Sequence, residues 1–354
     1  MKKSKKTLIS VLSFSVLFGL SSTSFADLVM NSSGSSDQAS ISWSSSDASQ
    51  LLNNDALDDE PSPQGSTTIT TTLRAANTGN TTNHNTSSTV PKTTYISDTS
   101  NYSNQPSVNS RAALVMDAKT SEVLYSKNTN TALPIASITK LMTAVVTSDA
   151  RLNMSEDITL QQIDFAGAGG KNSSSTLKAG DTMNRAEMLL VALMKSENPA
   201  AAALARTYPG GRQAFINAMN TKARQLGMNS THYVESTGLD VRNISSARDL
   251  GILVSAASQY GLIRQFSTTA HYDFNLGYSV LKSNNTNALV RNGGWNINIS
   301  KTGYINESGR CVVMHATVNN RPAVVVLLGA STSQARTNDA TNLLNWVSSQ
   351  PKRI

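Results

Sequence analysis

Residues 295–328 have the sequence WNINISKTGYINESGRCVVMHATVNNRPAVVVLL. Apolar residues recur in this stretch with the period of two that is typical of β-strands. The pattern predicts three strands, at residues 295–302, 311–318 and 323–328. Asn319-Asn320-Arg321-Pro322 is rich in turn-forming residues and predicts the turn between the last two strands.

Elements near both ends of the folded part extend this sheet. Residues 111–117 and 122–126 are rich in apolar residues and flank a turn at Lys119-Thr120-Ser121, which predicts a β-hairpin. A last helix is predicted at residues 334–347, because Ala340, Leu343, Leu344 and Val347 lie on one side of it.

A block of helices is predicted between the hairpin and the three strands. Asn184, with Glu187 three residues later, indicates a helix that runs to about Lys195. Asn198-Pro199 indicates a second helix cap followed by proline in the first turn. Further helices are expected at residues 137–146, 200–205, 212–226 and 246–260, the last two ending at Gly227 and Gly261. The order predicts an α+β fold, in which both chain ends form one antiparallel sheet and the helical block packs on it.

The first 26 residues have the features of a secretory signal. Four lysines precede an apolar run from Leu8 to Leu20, and Ser24-Phe25-Ala26 supplies small residues for a cleavage site. The run is short for a membrane span of about 20 residues. We therefore expect an exported, periplasmic protein whose signal peptide is cleaved after Ala26. No later stretch is long and apolar enough to cross a bilayer, so at most a peripheral membrane association is expected.

Residues 27–106 differ in composition from the rest of the chain. Of these 80 residues 39 are Ser, Thr or Asn, and large apolar residues are sparse. Such a segment buries too little apolar surface to offset the entropy of ordering it. We interpret it as a disordered arm, either a spacer or a partner-docking segment, with the spacer favoured. A catalytic domain is then expected at residues 107–354.

Charge and cysteine content restrict the partners and the source of stability. The 354-residue chain has a net charge of +7, but residues 107–354 carry 24 basic and 15 acidic residues, and the arm carries eight acidic and two basic ones. The basic folded part suits a carboxylate-bearing polymer outside the membrane. Nucleic acid is not expected as a partner. Cys311 is the only cysteine, so no intramolecular disulfide is possible and it is expected to be a buried strand residue.

Three short motifs suggest the chemistry. They are Ser137-Ile138-Thr139-Lys140, Ser196-Glu197-Asn198 and Lys301-Thr302-Gly303, and the order S-x-x-K, S-x-N, K-T-G is typical of class A β-lactamases and penicillin-binding proteins. The first motif is weak alone, since Ser175/Lys178, Ser279/Lys282 and Ser349/Lys352 share its spacing. Only Ser137 combines a helix start, an apolar setting and a lysine on the same helix face.

Each residue type in these motifs has a physical role to offer. A serine hydroxyl becomes a good nucleophile when a base removes its proton, and Lys140 can be that base if burial and a second cation, such as Lys301, lower its pKa. The helix N-terminus at Ser137 favours developing negative charge. Asn198 can orient a substrate backbone, and Ser196 can relay a proton to a leaving group. Lys301 and Thr302 can hold a substrate carboxylate.

Residues 107–354 resemble the low-molecular-mass penicillin-binding proteins, and among them the D-alanyl-D-alanine endopeptidases. The motifs carry the resemblance together with Lys140-Leu141-Met142-Thr143-Ala144, Leu193-Met194-Lys195, Tyr208-Pro209-Gly210-Gly211, Ala247-Arg248-Asp249-Leu250 and Trp295-Asn296-Ile297. The resemblance does not extend to the arm.

The resemblance implies a β-lactamase/transpeptidase-like fold and a serine enzyme acting on cross-linked peptidoglycan peptides, with β-lactam antibiotics as covalent inhibitors. Ser137 is implied as the nucleophile, Lys140 as the base and Ser196 as an aid to proton transfer together with Lys301. Asn198, Thr302 and the rest of the Lys301-Thr302-Gly303 motif are implied in substrate binding. The implied oxyanion hole consists of the backbone N–H groups of Ser137 and Tyr304.

Three alternatives remain at this point. A class A β-lactamase needs a carboxylate that activates the deacylating water, and Glu187 and Glu197 are the acids nearest to the second motif. A D-alanyl-D-alanine carboxypeptidase uses the same chemistry but commonly adds a second β domain and a basic amphipathic helix. A penicillin-binding module without turnover is the non-enzyme alternative. No metal or other cofactor is expected, because His84, His232, His271 and His315 show no ligand spacing.

Overall fold

The computed structural model describes residues 104–167 and 175–351. The predicted signal peptide at 1–26 lies outside the described residues, and so does the predicted arm, apart from its last three residues. The described strands are β1 (Ala112–Asp117), β2 (Val123–Lys127), β3 (Leu133–Pro134), β4 (Asp157–Thr159), β5 (Thr182–Asn184), β6 (Ile244–Ser245), β7 (His271–Asn275), β8 (Val280–Asn284), β9 (Asn296–Ile305), β10 (Gly309–Val318) and β11 (Arg321–Ala330).

The main sheet has five strands in the order β2-β1-β11-β10-β9, and all its pairings are antiparallel. The first strand of the folded part pairs with the last, from Ala112 opposite Leu328 to Asp117 opposite Ala323. The predicted sheet, completed from both chain ends, is therefore confirmed. Strand β9 has one neighbour and is an edge strand, which leaves its outer side available to other groups.

Helices cover both faces of this sheet. They are α1 (Thr139–Asp149), α2 (Arg185–Met194), α3 (Asn198–Arg206), α4 (Gly211–Gln225), α5 (Ala247–Ala257), α6 (Gly261–Thr268), α7 (Ala288–Asn292) and α8 (Ser333–Ser349), with 3₁₀ turns at Ala136–Ile138 and Gln162–Phe165. Among the described residues no helix has both the length and the apolar character needed to cross a membrane.

The central strands are buried on both faces, which explains their continuous apolar runs. In β11, Val324, Val326 and Leu328 pack with the helical block, whereas Val325 and Leu327 pack with α8. Successive side chains of a strand point to opposite faces, so two separate cores share one strand. A sheet covered on both sides needs apolar residues at every position of its inner strands rather than at alternate ones.

Helix α1 lies inside the helical block. Every residue from Thr139 to Ser148 is buried. A helix that is buried on all sides is surrounded by other elements, and helices from the block pack around this one. The position of Lys140 in its first turn therefore carries an ionisable side chain into the interior.

Several predicted boundaries were wrong for local reasons. Ser137 lies in a 3₁₀ turn and the α-helix starts at Thr139. Asn198 is the first residue of α3 and not its cap, since Glu197 takes the capping position. Gly261 begins α6 rather than only ending α5. Arg321 and Pro322 belong to β11, and the turn is completed by Asn319 and Asn320, both with positive φ.

Other local predictions are confirmed. Asn184 caps α2 by accepting a hydrogen bond from the Glu187 amide, and the Glu187 side chain bonds back to the Asn184 amide. Gly227 follows α4 with a φ of 76°, the left-handed conformation expected after a helix. Cys311 is fully buried in β10. The hairpin formed by β7 and β8 was not predicted.

Candidate active site

Ser137 and Lys140 form the centre of the candidate site. Ser137 lies in the 3₁₀ turn and Lys140 in the first turn of α1, so a spacing of three residues places both side chains on one face. The Lys140 Nζ donates a hydrogen bond of 2.9 Å to the Ser137 Oγ. Ser137 is half-buried and Lys140 is 1% exposed. The serine is therefore open to a substrate while the lysine is shielded from water.

Lys140 is surrounded by oxygen acceptors. Besides Ser137, its Nζ donates to the Asn198 Oδ1 at 2.6 Å and to the Thr237 carbonyl oxygen at 2.6 Å. Burial lowers the pKa of Lys140 to about 7, against an opposing effect of the Glu235 and Glu197 carboxylates. A large fraction of the Lys140 side chains is then neutral near neutral pH. A neutral amine at hydrogen-bond distance from a hydroxyl has the geometry and the pKa of a general base.

Ser196 is held in an unusual backbone conformation between α2 and α3. Its φ is 68°, in the left-handed region that side chains other than glycine seldom adopt. The Ser196 Oγ accepts a hydrogen bond of 2.9 Å from the Lys301 Nζ. Backbone strain of this kind costs about 1–3 kcal/mol and persists where the surrounding structure enforces it. Here it presents a hydroxyl to a buried lysine.

Lys301 is a second buried lysine, on edge strand β9. It is 1% exposed, and besides Ser196 its Nζ donates to the Thr302 carbonyl oxygen at 3.0 Å. Burial, followed by the positive charges of Lys140 and Arg336, holds the pKa of Lys301 well below its usual range. Burial is therefore the leading cause of the lowered pKa for both lysines. The three predicted motifs thus meet through two hydrogen bonds: Lys140 of the first motif donates to Asn198 of the second, and Lys301 of the third donates to Ser196 of the second.

Gly303 allows β9 to approach the nucleophile. A Cβ added to Gly303 would lie 2.9 Å from the Ile135 carbonyl oxygen and 3.2 Å from the Ser137 backbone nitrogen. Real Cβ contacts are rarely that close, so the strand can contact the 3₁₀ turn only because residue 303 has no side chain. This contact brings the backbone of β9 beside the Ser137 amide, where we expect the Tyr304 amide to complete an oxyanion hole.

The Thr237 carbonyl belongs to a loop that the sequence analysis missed. The Glu235 carboxylate bonds to the backbone nitrogens of Thr237 and Gly238, both at 2.5 Å, and to the Asn243 Nδ2 at 2.8 Å. Asn243 is fully buried and also donates to the Thr139 Oγ1 in α1 at 3.1 Å. These bonds fix the loop onto the helix that carries Lys140. The sequence signal for this loop was Gly238, in the stretch Ser236-Thr237-Gly238. A glycine has no reactive side chain, so it did not indicate a functional residue.

Arg336 is a second residue that the sequence analysis missed. It lies in the first turn of α8, is 8% exposed, and its guanidinium has no hydrogen-bond or ion-pair partner among the described residues. Burial and the positive charge of Arg310 lower its pKa. Thr302 in β9 donates a hydrogen bond of 2.7 Å to the Thr286 Oγ1. A buried cation without a counter-ion next to Lys301 marks a place for an anion.

The two acids nearest to the second motif make other contacts. Glu197 accepts hydrogen bonds from the Ser175 Oγ at 2.5 Å and the Thr176 Oγ1 at 2.8 Å, and it pairs with Lys195 at 3.4 Å. Glu187 completes the cap of α2. Both carboxylates are therefore engaged in hydrogen bonds within the protein.

Ser175, the serine of a competing motif, is thereby held by Glu197. Within the two described ranges no group of three or more His, Cys, Asp or Glu side chains is placed to hold a metal ion.

Comparison with known proteins identifies the family of the chain. The sequence profile of the D-alanyl-D-alanine carboxypeptidases, peptidase family S11, matches residues 99–332. The chain is 45% identical over 250 residues to a D-alanyl-D-alanine endopeptidase of Pseudomonas aeruginosa, covering 69% of this chain and 78% of that protein. It is 44% identical over 246 residues to the D-alanyl-D-alanine endopeptidase of Escherichia coli, with the same coverage.

The fold is also shared with a solved structure. The crystal structure of the Streptomyces K15 DD-transpeptidase matches with a TM-score of 0.63 and 28% identity, over 68% of this chain and 98% of that one. The three motifs, the main sheet and the helical block all lie within residues 99–332, which the family profile matches. By its sequence and its fold, the chain belongs to the S11 family of serine D-alanyl-D-alanine peptidases.

Proposed function

We propose that this protein is a serine DD-endopeptidase that hydrolyses D-alanyl cross-links in peptidoglycan through an acyl-enzyme on Ser137. The observation that carries the proposal is the 2.9 Å hydrogen bond from Lys140 to the Ser137 Oγ, made by a lysine that is buried and whose pKa is about 7. The family membership and the endopeptidases with 45% and 44% identity support the choice of substrate.

In the acylation step, the neutral Lys140 amine takes the proton of the Ser137 hydroxyl. The Oγ attacks the D-alanyl carbonyl carbon and forms a tetrahedral intermediate. Its oxyanion accepts hydrogen bonds from the backbone N–H groups of Ser137 and Tyr304, the arrangement supported by the approach of Gly303 to the Ser137 nitrogen. Preorganised amides of this kind act where charge develops, and they need no rearrangement during the reaction.

Collapse of the intermediate breaks the bond between the D-alanyl carbon and the leaving nitrogen. Ser196 gives its proton to that nitrogen and recovers one from Lys301, which donates to its Oγ. The second peptide leaves as an amine, and the D-alanyl group stays on Ser137 as an ester. Proton exchange with water that enters the site returns Lys140 to its neutral form and Lys301 to its protonated form. Lys140 then takes a proton from a water molecule, and the resulting hydroxide attacks the ester carbonyl carbon. When this second tetrahedral intermediate collapses, the bond to the Ser137 Oγ breaks, Lys140 returns its proton to that oxygen, and the released carboxylic acid ionises in water.

Substrate binding uses the groups around these two serines. The Asn198 Oδ1 accepts a hydrogen bond from Lys140. In this orientation of the amide, the Asn198 Nδ2 can donate a hydrogen bond to a substrate carbonyl. Thr302, Lys301 and Arg336 form a cationic end to the site, suited to the carboxylate beside the scissile bond. Gly303 leaves room for the substrate backbone along the edge of β9.

A D-alanyl-D-alanine carboxypeptidase is the second candidate, because the matching family profile carries that description. Digestion of purified cross-linked peptidoglycan separates the two activities. Loss of dimeric muropeptides is the expected result for the endopeptidase. Release of terminal D-alanine without loss of dimers would assign the carboxypeptidase activity instead.

Two further alternatives have less support. A β-lactamase of class A needs a free carboxylate near the acyl-enzyme, and Glu187 and Glu197 are both engaged elsewhere. We therefore expect slow release of a bound β-lactam and slow turnover of nitrocefin.

A module without turnover is disfavoured by the Lys140–Ser137 geometry. A fluorescent penicillin should label the protein covalently, and Ser137→Ala should abolish labelling. Labelling retained in Ser137→Ala would assign another nucleophile.

We further propose that the protein works in the periplasm after cleavage of residues 1–26, with residues 27–106 as a spacer and 107–354 as the catalytic domain. The composition of the three segments supports this proposal. The mass of the protein isolated from a periplasmic extract should correspond to a chain that begins at Asp27. A full-length chain in the membrane fraction would contradict it.

A further inference from the structure

Tyr304 is an exposed aromatic residue directly after the Lys301-Thr302-Gly303 motif. Its side chain is 45% exposed, and it is one of five large apolar side chains exposed in the described part of the chain. An aromatic ring in water forgoes the free energy of burial. The exposure of the Tyr304 ring next to the reacting groups therefore has a cost in stability, which a role in binding would account for.

The Tyr304 side chain is held from two sides. The Arg310 guanidinium carbon lies 3.4 Å from the ring centroid, a close cation–π contact. The phenol hydroxyl donates a hydrogen bond of 2.7 Å to the Asn306 Oδ1. Arg310 lies directly opposite Tyr304 in the pairing of β10 with β9. The ring is thus fixed in place before any ligand binds, and little conformational entropy remains to be lost on binding.

The stack lies on the same face of β9 as Thr302. Side chains two residues apart point to one face of a strand, so Thr302 and Tyr304 share a face, while Lys301 and Gly303 face Ser196 and Ser137. Val312, opposite Thr302, packs with α8, which places this face on the side of the sheet where Arg336 lies. The Tyr304–Arg310 stack therefore adjoins the cationic end of the site.

Arginines dominate the charge around this end. The pKa of Arg336 is lowered by burial and by the positive charges of Arg310 and Arg291, and the Cys311 thiol alone opposes them. The Arg291 guanidinium bonds to the Asn285 carbonyl oxygen. The region thus combines a buried cation that has no counter-ion with an aromatic ring and a second, more accessible guanidinium.

We propose that the Tyr304–Arg310 stack binds the second peptide of a cross-link, on the leaving-group side of the scissile bond, and so selects cross-linked over single-chain substrates. The inference rests on the proposed function and names the part of the substrate that the endopeptidase must recognise. Arg310 positions the Tyr304 ring and supplies the charge.

The chemistry of the two leaving groups supports this assignment. A carboxypeptidase releases one D-alanine, whose side chain is a methyl group. An endopeptidase releases an amine on the side chain of a diamino acid, and an aliphatic chain leads from it into the rest of the second peptide. When the carboxylate next to that amine occupies Thr302 and Arg336, the aliphatic chain continues over the adjoining surface. An aromatic ring suits its methylene groups, and the Arg310 guanidinium suits a further carboxylate of the second peptide.

The first experiment measures binding without turnover. Ser137→Ala protein, full chain, is titrated with a purified cross-linked muropeptide dimer and with a monomeric pentapeptide muropeptide. Adding Arg310→Ala should weaken dimer binding about tenfold and pentapeptide binding less than twofold, as for the loss of one cation–π contact and one charge contact. Arg224→Ala is the matched control, because Arg224 is exposed on α4 and its side chain hydrogen-bonds only to the Thr221 hydroxyl among the described residues.

The second experiment measures turnover in the active enzyme. Arg310→Ala should raise KM for the dimer about tenfold with kcat within twofold. Arg310→Met, which keeps an aliphatic cover over the ring but removes the charge, should show an intermediate KM. Tyr304→Ala should lower the ratio of dimer to pentapeptide cleavage. Circular dichroism and thermal unfolding identify any variant that does not fold. If Arg310→Ala does not fold, the KM of Arg310→Met for the dimer decides whether Arg310 contributes to binding.

Equal losses for dimer and pentapeptide, or no change in either, would overturn the proposed specificity role. Failure of the wild-type enzyme to cleave dimers is a separate result. It would contradict the proposed function, whereas an Arg310-dependent preference of Ser137→Ala protein for dimers would still support binding of the second peptide.

Discussion

A Cβ placed on Gly238 would lie 1.9 Å from the carbonyl oxygen of Ala136, the residue before the candidate nucleophile. The same Cβ would lie 2.8 Å from the Ser137 backbone nitrogen. The loop that supplies the Thr237 carbonyl to Lys140 and the turn that carries Ser137 therefore contact each other through their backbones. This contact holds the lysine and the serine in one geometry.

Gly238→Ala should slow acylation and also destabilise the protein. The new Cβ must push the 3₁₀ turn away, and its φ of 86° disfavours any side chain. We expect the rate of covalent labelling by a fluorescent penicillin to fall at least 100-fold, since a misplacement of about 1 Å can have an effect of that size. Labelling kinetics and urea unfolding measure the two effects.

Gly227→Ala is the matched control for that substitution. Its φ is 76°, but a Cβ there meets nothing within 4 Å. It should lose about 1 kcal/mol of stability through backbone strain alone and label at the wild-type rate. Equal labelling rates in the two variants would show that the Gly238 contact does not position Ser137.

Acylation should depend on the neutral form of Lys140. Because burial lowers its pKa to about 7, the labelling rate should rise with pH through about 7 and level off above it. Lys140→Arg keeps a positive charge but cannot act as a base at these pH values, and it should reduce the rate by 10²- to 10⁴-fold, the usual range for loss of a general base. Rate constants between pH 5 and 9 test this. A profile that is flat from pH 6 to 8 would exclude Lys140 as the titrating group.

Arg336 should recognise the carboxylate of the substrate. Hydrogen bonds to a charged group contribute about 1.5–3 kcal/mol, equivalent to about 10- to 100-fold in kcat/KM. Arg336→Leu should remove most of the preference for a pentapeptide with a free C-terminal carboxylate over its C-terminal amide. Stability should not fall, because the buried guanidinium has no partner among the described residues. An unchanged preference would move the carboxylate site elsewhere.

Asp339 joins the two ends of the folded part. Its carboxylate in α8 accepts hydrogen bonds from the backbone nitrogens of Asn109 at 2.9 Å and Ser110 at 2.8 Å, and from the Ser110 Oγ at 2.7 Å. Asp339→Ala leaves buried donors without an acceptor and should destabilise the protein by about 2–4 kcal/mol. Urea unfolding measures the loss.

The same Asp339→Ala variant should keep its labelling rate per folded molecule, because its hydrogen bonds lie away from both lysines. A wild-type free energy of unfolding would show that these bonds do not hold the chain ends together. A strongly reduced labelling rate at full stability would instead connect α8 to the reaction through Arg336, one turn earlier on the same helix.

Local patterns in the sequence predicted much of the fold. The capping residues of α2, the end of α4 at Gly227 and the strands β9 to β11 follow from spacing and turn chemistry, which depend on residues near one another in the chain. Asn198 shows the limit of such reasoning. Its position before Pro199 indicated a cap, but its side chain accepts a hydrogen bond from Lys140, 58 residues away, and Glu197 takes the capping position.

By itself, the sequence determined which residue types meet in the site and in what local geometry. A spacing of three on a helical turn places Ser137 beside Lys140 because the helical repeat is local. Only the tertiary structure decided what these residues can do. It buries both lysines, which lowers their pKa values, and it joins Ser196 to Lys301 across 105 residues. It also adds Thr237 and Arg336, which no motif contains, since desolvation and long-range contacts exist only once the chain has packed.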